Sequence, residues 1–278
     1  MLTISDHRRD VAGLRYVYPV VSRRAGGVSI GINLNVNRAC NWACRYCQVE
    51  GLRRGGPEPI DLPLLESELE HFLQAALYGD FMATQVPESA RRLMDLAFSG
   101  DGEPTTAAEF PQTVELALAA LHRHGLADTV KLRLITNGSQ LHRAAVQAGV
   151  ARLGAAGGEV WFKLDRGSAA GRLAVNGSRS EDSRVVAHLR RAVALAPTWV
   201  QTCWFAENGV VPSAAEEQAY LEILRAAGAG LAGVHLYGLA RKPMQPGAES
   251  LSSLTAEALT GWGGRIASQL GIEVRTSP

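Results

Sequence analysis

Cys40, Cys44 and Cys47 lie in one run, Cys40-Asn41-Trp42-Ala43-Cys44-Arg45-Tyr46-Cys47, with an aromatic residue just before the last thiol. Three thiolates on one short loop can hold three irons of a cubane iron–sulfur cluster and leave the fourth iron without a protein ligand. A cluster with a full protein shell moves electrons, whereas one with an open iron can also bind a molecule and act on it. Soft thiolates also select zinc. A structural zinc site wants four ligands, usually as two close pairs. Here the triad is a single loop, the remaining cysteine, Cys203, is far along the chain, and the nearest downstream histidine, His71, falls in a helical pattern. A disulfide framework suits chains too short to bury a core, and this one is not short.

Other residues able to do chemistry recur at the ends of apolar runs. Gly100-Asp101-Gly102-Glu103-Pro104 is a glycine-rich acidic turn, Thr136-Asn137-Gly138-Ser139 a polar one, and Lys163 and Asp165 flank Leu164. In Gln201-Thr202-Cys203, strand alternation points Gln201 and Cys203 to the same face. Bland alternatives exist for each. Asn137-Gly138 suits a simple turn, Lys163 could pair with Asp165, Tyr46 could pack beneath the cysteine loop, and a buried cysteine is ordinary core.

The elements that must position these residues alternate steadily. Strand patterns cover 28–36, 95–98, 130–135, 159–164, 199–205 and 233–238, with a short final strand at 272–275. Helical patterns cover 64–77, 110–124, 140–148, 184–196, 214–227 and 254–270. Repeated strand-then-helix units argue for parallel strands with crossover helices. The pattern predicts an α/β fold, a partial (β/α)6 TIM-like barrel, in one domain spanning 1–278 with an N-terminal extension of about 1–26. Every motif then sits at the C-terminal end of a strand, where barrels of this kind do their chemistry.

Four blocks carry a family resemblance: Gly31-Ile32-Asn33-Leu34-Asn35, Cys44-Arg45-Tyr46-Cys47-Gln48-Val49, Phe98-Ser99-Gly100-Asp101-Gly102-Glu103-Pro104-Thr105 and Lys163-Leu164-Asp165. With the cysteine triad they resemble the radical S-adenosylmethionine (SAM) superfamily. The likeness is to a branch that includes the tRNA wybutosine-type synthases and many uncharacterised iron–sulfur oxidoreductases. It runs from Gly27 onward and is specific at these blocks. It implies a 4Fe–4S cluster on Cys40, Cys44 and Cys47, whose open iron chelates SAM. Reductive cleavage of SAM would then give a 5′-deoxyadenosyl radical that abstracts hydrogen from a substrate. By the same resemblance, Gly100, Gly102 and Glu103 form the turn that meets the SAM amine, with Asp101 between the glycines as in the G-x-G-E-P subset. Asn137, Ser139, Lys163, Asp165 and Gln201 are expected to bind the cofactor, and Tyr46 to flank the adenine. A thiol at Cys203 could return a hydrogen atom to a substrate radical.

The chain departs from the wybutosine enzymes in lacking the cysteines of a second cluster, so their ring-forming reaction is not expected. It also lacks a cysteine-rich C-terminal extension. Its substrate is therefore open. A small metabolite is favoured over a protein residue, as in glycyl-radical activation, and over a nucleotide or RNA. The rival from another class, a non-catalytic iron–sulfur electron carrier or sensor, leaves the glycine turn and the polar strand ends unexplained. With no second cluster, an external donor is needed. A flavodoxin or ferredoxin is expected, meeting Arg45, Arg53 and Arg54.

Composition adds limits. In 278 residues, 28 Lys and Arg balance 27 Asp and Glu, which gives no support for a nucleic-acid surface. No apolar run is long enough to span a bilayer, and the first residues lack a signal-peptide pattern. The chain reads as cytoplasmic, where thiols stay reduced, and the sequons at Asn137 and Asn176 read as chance matches.

Overall fold

The computed structural model describes residues 2, 13–22, 25–239 and 241–278. Part of the expected N-terminal extension lies outside the described residues. Its remainder supplies strand β1 (Val17–Ser22), followed by β2 (Gly27–Ile32) and the two-residue strands β3 (Ala39–Cys40) and β4 (Arg53–Arg54). Then come α1 (Leu62–Leu77), α2 (Phe81–Gln85), β5 (Leu93–Phe98), α3 (Phe110–Arg123), β6 (Lys131–Thr136), α4 (Ala144–Ala155) and β7 (Glu159–Lys163). The chain continues through α5 (Ala169–Asn176), α6 (Asp182–Leu195), β8 (Thr198–Cys203), β9 (Phe205–Glu207), α7 (Ala214–Ala227) and β10 (Leu231–Tyr237). It ends with β11 (Leu251–Ser253), α8 (Ala256–Leu270) and β12 (Val274–Ser277).

Eight strands form one sheet in the order β1-β2-β5-β6-β7-β8-β10-β12. Only β1 is antiparallel to its neighbour; every other pairing is parallel. Strand order follows chain order without a reversal, so the helices collect on one face and the sheet curls around the other. The six parallel strands from β2 to β10, each followed by helix, are the expected (β/α)6 half-barrel. Among the described residues no helix is long and apolar enough to cross a membrane.

Alternation divides each strand between two environments. Leu96, Phe98, Leu132, Leu134, Val160, Phe162, Val200, Val234 and Leu236 face the helices and form the main core with residues such as Phe72, Phe110, Val114, Leu189, Tyr220 and Trp262. Each such side chain stabilises the fold by about 1.5–3 kcal/mol on burial. The opposite face carries Ser29, Asp95, Arg133, Glu159, Gln201 and His235. Such groups must be paired when buried. Arg133 bonds both Asp95 and Glu159, Ser29 bonds Asp95, and Lys131 reaches Glu159 at 3.3 Å.

The structure departs from the sequence expectation in several places, and four bear on how the site is built. The strand expected to run to residue 36 ends at Ile32, because the Asn33 side chain accepts from Asn35 N at 3.0 Å and turns the chain. The helix expected over 140–148 is Ala144–Ala155. It runs through Gly149, where a Cβ would come within 2.9 Å of the Phe110 ring. That glycine is a packing choice rather than a stop. The extension contributes a paired edge strand, β1. Helix α5 was not anticipated, although Ser168 caps its start and Gly177, at φ 64°, its end.

Candidate active site

The cysteine loop leaves β3 and is clamped by α5. Ala43 N donates to Asn176 O and Arg45 N to Val175 O, both at 2.9 Å, so the last carbonyls of α5 hold the loop backbone. The Asn176 side chain donates to Cys44 Sγ at 3.2 Å and to Asp165 at 2.7 Å. Trp42 N points at Cys40 Sγ, 3.4 Å away. From the far end of the chain, Met244 N donates to Cys47 O at 2.9 Å, and Arg45 binds Glu207, Gly247 O and Ser250.

The glycine turn presses on the same loop. Gly100 has φ 143°, a backbone conformation open to glycine, and a Cβ there would sit 2.4 Å from Asn33 Oδ1. At Gly102 a Cβ would lie 2.2 Å from the carbonyl oxygen of Ala39, one residue before Cys40. These glycines let the turn dock on the cysteine strand. Glu103 is buried; its carboxylate accepts from Thr105 N, Thr105 Oγ1, Thr136 Oγ1 and Asn137 N at 2.5–3.2 Å. Burial raises its pKa, against those bonds, which favour the charge. Glu103 thus fastens the second strand end to the third, and it keeps an edge on the cavity.

One cavity of about 300 Å³ opens at this end of the sheet. It is bordered by Cys40, Cys44, Cys47, Tyr46, Gly100, Gly102, Glu103, Asn137, Lys163, Gln201 and Cys203. Ser139 and Asp165 are not on it; both border a smaller cavity of about 20 Å³ behind the loop. Within the chain itself their partners lie on the cysteine loop and on the residues that brace it. Ser139 Oγ accepts from Asn41 at 2.7 Å, and Asn41 in turn accepts from Asn137. The Asp165 carboxylate accepts from Tyr46 Oη at 2.5 Å, Asn176 at 2.7 Å and Cys203 N at 2.8 Å. Both residues hold the cysteine loop from behind.

Lys163 donates to Tyr237 Oη at 3.2 Å and lies 5.0 Å from the Tyr46 ring centroid. It does not form the direct ion pair with Asp165 that its spacing suggested. Burial works against its charge, but the fields of Asp165, Tyr237, Cys44 and Cys203 prevail and raise its pKa. Lys163 is thus a fixed cation on the cavity wall. Cys203 borders the cavity and also packs with Val175, Phe205 and Tyr46. Tyr46 likewise does two things, lining the cavity and resting against Phe205 at 5.7 Å.

Without metal, burial pushes the thiol pKa of Cys40 to about 11 and that of Cys44 to about 12. Among the described residues no three His, Cys, Asp or Glu side chains converge on a point that would hold a single metal ion. A cubane distributes its thiolate ligands over three irons, so their sulfurs need not meet. All three thiols border one cavity, N–H groups approach Cys40 and Cys44, and no carboxylate or imidazole stands in the loop. This donor set fits an iron–sulfur cluster.

Residues to which the sequence assigned no role in the site complete the frame. Asn33, Asn41 and Asn176 tie the turns together, and Asp95, Arg133 and Trp161 line the depth of the cavity. The asparagine-glycine pair Asn176-Gly177 was the available signal for a helix end.

No family model and no curated protein matches the chain. Among solved structures it is similar to a radical SAM methyltransferase from Sphaerobacter thermophilus, with a TM-score of 0.62 at 18% identity over 96% of this chain and 71% of that one. Coproporphyrinogen III oxidase from Escherichia coli, a radical SAM enzyme, is similar over 97% of this chain and 62% of its own at 12% identity, with a TM-score of 0.48. The first likeness shows that the chain has the radical SAM fold.

Proposed function

We propose that this chain, which has the fold of radical SAM enzymes, is itself one, with a small molecule as substrate. One observation carries the reading: three thiols of one loop, the glycine turn, Asn137 and Lys163 share a single cavity at the C-terminal ends of the parallel strands. Cys40, Cys44 and Cys47 would hold a 4Fe–4S cluster, and Gly102, Asn137 and Lys163 border the space for SAM. When bound, the pair supplies reductive cleavage of SAM and, from it, hydrogen abstraction. Lys163 offers a permanent positive charge to a carboxylate, Tyr46 a ring beside a planar group, and the buried Glu103 and Asp165 keep the walls in register. A pure electron carrier has no use for a cation-bearing cavity beside its metal.

Anaerobically reconstituted protein should carry about four irons and four sulfides, and lose them in Cys40→Ala, Cys44→Ala or Cys47→Ala. Once reduced, it should convert SAM to 5′-deoxyadenosine and methionine. Stoichiometric zinc without sulfide, or intact SAM after reduction of a full cluster, would sink the reading.

The position of Cys203 on the same wall supports its role as a hydrogen-atom donor to the substrate radical. Cys203→Ala should still release 5′-deoxyadenosine but should no longer place solvent deuterium in the product. Unchanged label in that variant would make the thiol a packing residue.

A further inference from the structure

The inner face of the sheet is filled on one side and open on the other. Toward β8 and β10, His235 packs against both Trp161 and Trp199, 4.6 Å from each ring centroid, and Arg275 lies 4.2 Å from the Trp199 centroid. Toward β1, β2, β5 and β6, Ser29, Gly31 and Ala97 are short. Here the cavity extends as a bay bordered by Tyr18, Ser29, Asp95, Ala97, Ser99 and Arg133. Strand register keeps these residues together. Tyr18 stands opposite Gly31, Gly31 opposite Ala97 and Ala97 opposite Arg133. The next row, toward the start of the parallel strands, runs Val20, Ser29, Asp95. The two rows are about 7 Å apart at the rise of an extended strand. Lys163 and Cys203, on β7 and β8, lie outside this bay.

Two groups of the bay have hydrogen-bonding capacity to spare, and of opposite kinds. Arg133 commits Nε to Glu159 and Nη1 to Asp95, which leaves three of its five N–H donors without a protein acceptor among the described residues. Its side chain is 12% exposed and borders the cavity, whereas that of Asp95, at 2%, is nearly closed off. The second group is Ser99. The Tyr18 ring lies across Gly31, where a Cβ would come within 2.1 Å of Tyr18 Cζ, and its hydroxyl meets Ser99 Oγ at 2.8 Å. With its own proton directed to Ala97 O at 3.3 Å, Ser99 Oγ takes the Tyr18 proton and keeps room to accept one more. The bay thus gives protons at Arg133 and asks for one at Ser99.

Charge narrows the ligand. Asp95 and Glu159 are matched by Arg133 and Lys131, so the charges here already balance. An anion would meet the two carboxylates that flank the guanidinium. A cation would compete with Arg133 for carboxylates already bonded. A neutral group meets no such conflict if it accepts from Arg133 and donates to Ser99. A hydroxyl does both, and a ring bearing several can do so at the two places at once. Its carbon frame suits Ile135 and Trp161, which border the cavity beside these groups.

We propose that this bay is a subsite for a neutral polyhydroxylated ring, a pentose or a hexose, with Arg133 as its recognition residue. That the ligand is the substrate rests on the radical SAM reading; that the bay binds a sugar does not. Nothing in this assignment changes the cysteine loop or the cofactor wall. It gives a task to β1, the added edge strand, whose Tyr18 closes the bay and sets Ser99.

The test uses the full chain, with and without reconstituted cluster, titrated by saturation-transfer NMR with D-ribose, D-glucose, D-glucuronate and D-glucosamine. Ribose or glucose should bind, and whichever is tighter tells a pentose from a hexose. Glucuronate and glucosamine, which add an anion and a cation to the same ring, should bind at least five-fold more weakly than the better neutral sugar. Arg133→Lys keeps the charge that Asp95 and Glu159 need but gives up the forked donors, and should weaken the better sugar about five-fold or more. Ser99→Ala removes the acceptor without touching a charge and should do the same; it decides if the lysine variant folds poorly. Equal or tighter binding of a charged sugar, no binding of either neutral one, or unchanged binding in the deciding variant would overturn the proposal. SAM binding and iron content of the parent protein are measured on the same samples. Sugar binding without them would leave the subsite standing and remove the enzyme reading, whereas the reverse result would remove only the subsite.

Discussion

Asp165 shows how far a single side chain can sit from the role its spacing suggests. Its carboxylate takes three donors, Tyr46 Oη, Asn176 Nδ2 and Cys203 N, all buried or half-buried. Removing it strands all three, and each stranded buried group costs about 1–3 kcal/mol. Asp165→Ala should therefore lose about 3 kcal/mol or more in urea unfolding, together with much of the iron content, because Asn176 and Tyr46 both orient the cysteine loop. Asp165→Asn, able to accept but not to match all three donors, should lose less. An alanine variant as stable as the parent would refute the three-way anchor. The sequence made the cysteines legible because their chemistry is in their type and spacing. It did not reveal Asp165, Ser139 or Asn176 as loop supports, because each depends on contacts between segments up to 132 residues apart.

At the scale of elements, α6 carries a pH sensitivity. His188 is 5% exposed and stacks on His142 with ring centroids 5.9 Å apart. Burial first, then Arg184, His142 and Arg191, lowers its pKa to about 4. The folded state thus resists a proton that the unfolded chain accepts near pH 6.5. Stability from this group is whole above pH 6.5 and is lost as pH falls toward 4, by on the order of 1–3 kcal/mol. His188→Leu should flatten that part of the stability profile, and matching profiles for parent and variant would contradict the assignment. Long elements with steady periodicity, such as α3, α7 and the inner strands, could be read in advance. The short α5 could not, since eight residues hold too few turns for a periodic signal, and α4 was misplaced because Gly149 reads as a break unless Phe110 is known to lie against it.

At the scale of the molecule, the cysteine loop sits at one rim of the half-barrel, and the exposed Arg53 and Arg54 mark that rim from outside. Arg45 is already occupied by Glu207, Gly247 O and Ser250. Arg54 also holds Asn41 O at 2.7 Å, so Arg53 is the cleaner probe of a donor site. If an acidic flavodoxin or ferredoxin docks here, Arg53→Glu should slow turnover with that donor about ten-fold and leave the dithionite rate within about two-fold. Equal loss with both donors would rule the surface out. The half-barrel itself was readable because strand order follows chain order. That same order lets each strand dock on the one made just before it, which keeps most pairings local. The cysteine loop breaks the rule. Its thiols belong to the first crossover, but the groups that grip it, Val175, Asn176, Met244 and Gly247, come from the fourth crossover and from beyond the sixth parallel strand. A growing chain therefore displays its cysteines long before it can fasten them. The clamp closes only when the chain is nearly complete, so the three thiols take up their final arrangement among the last events of folding.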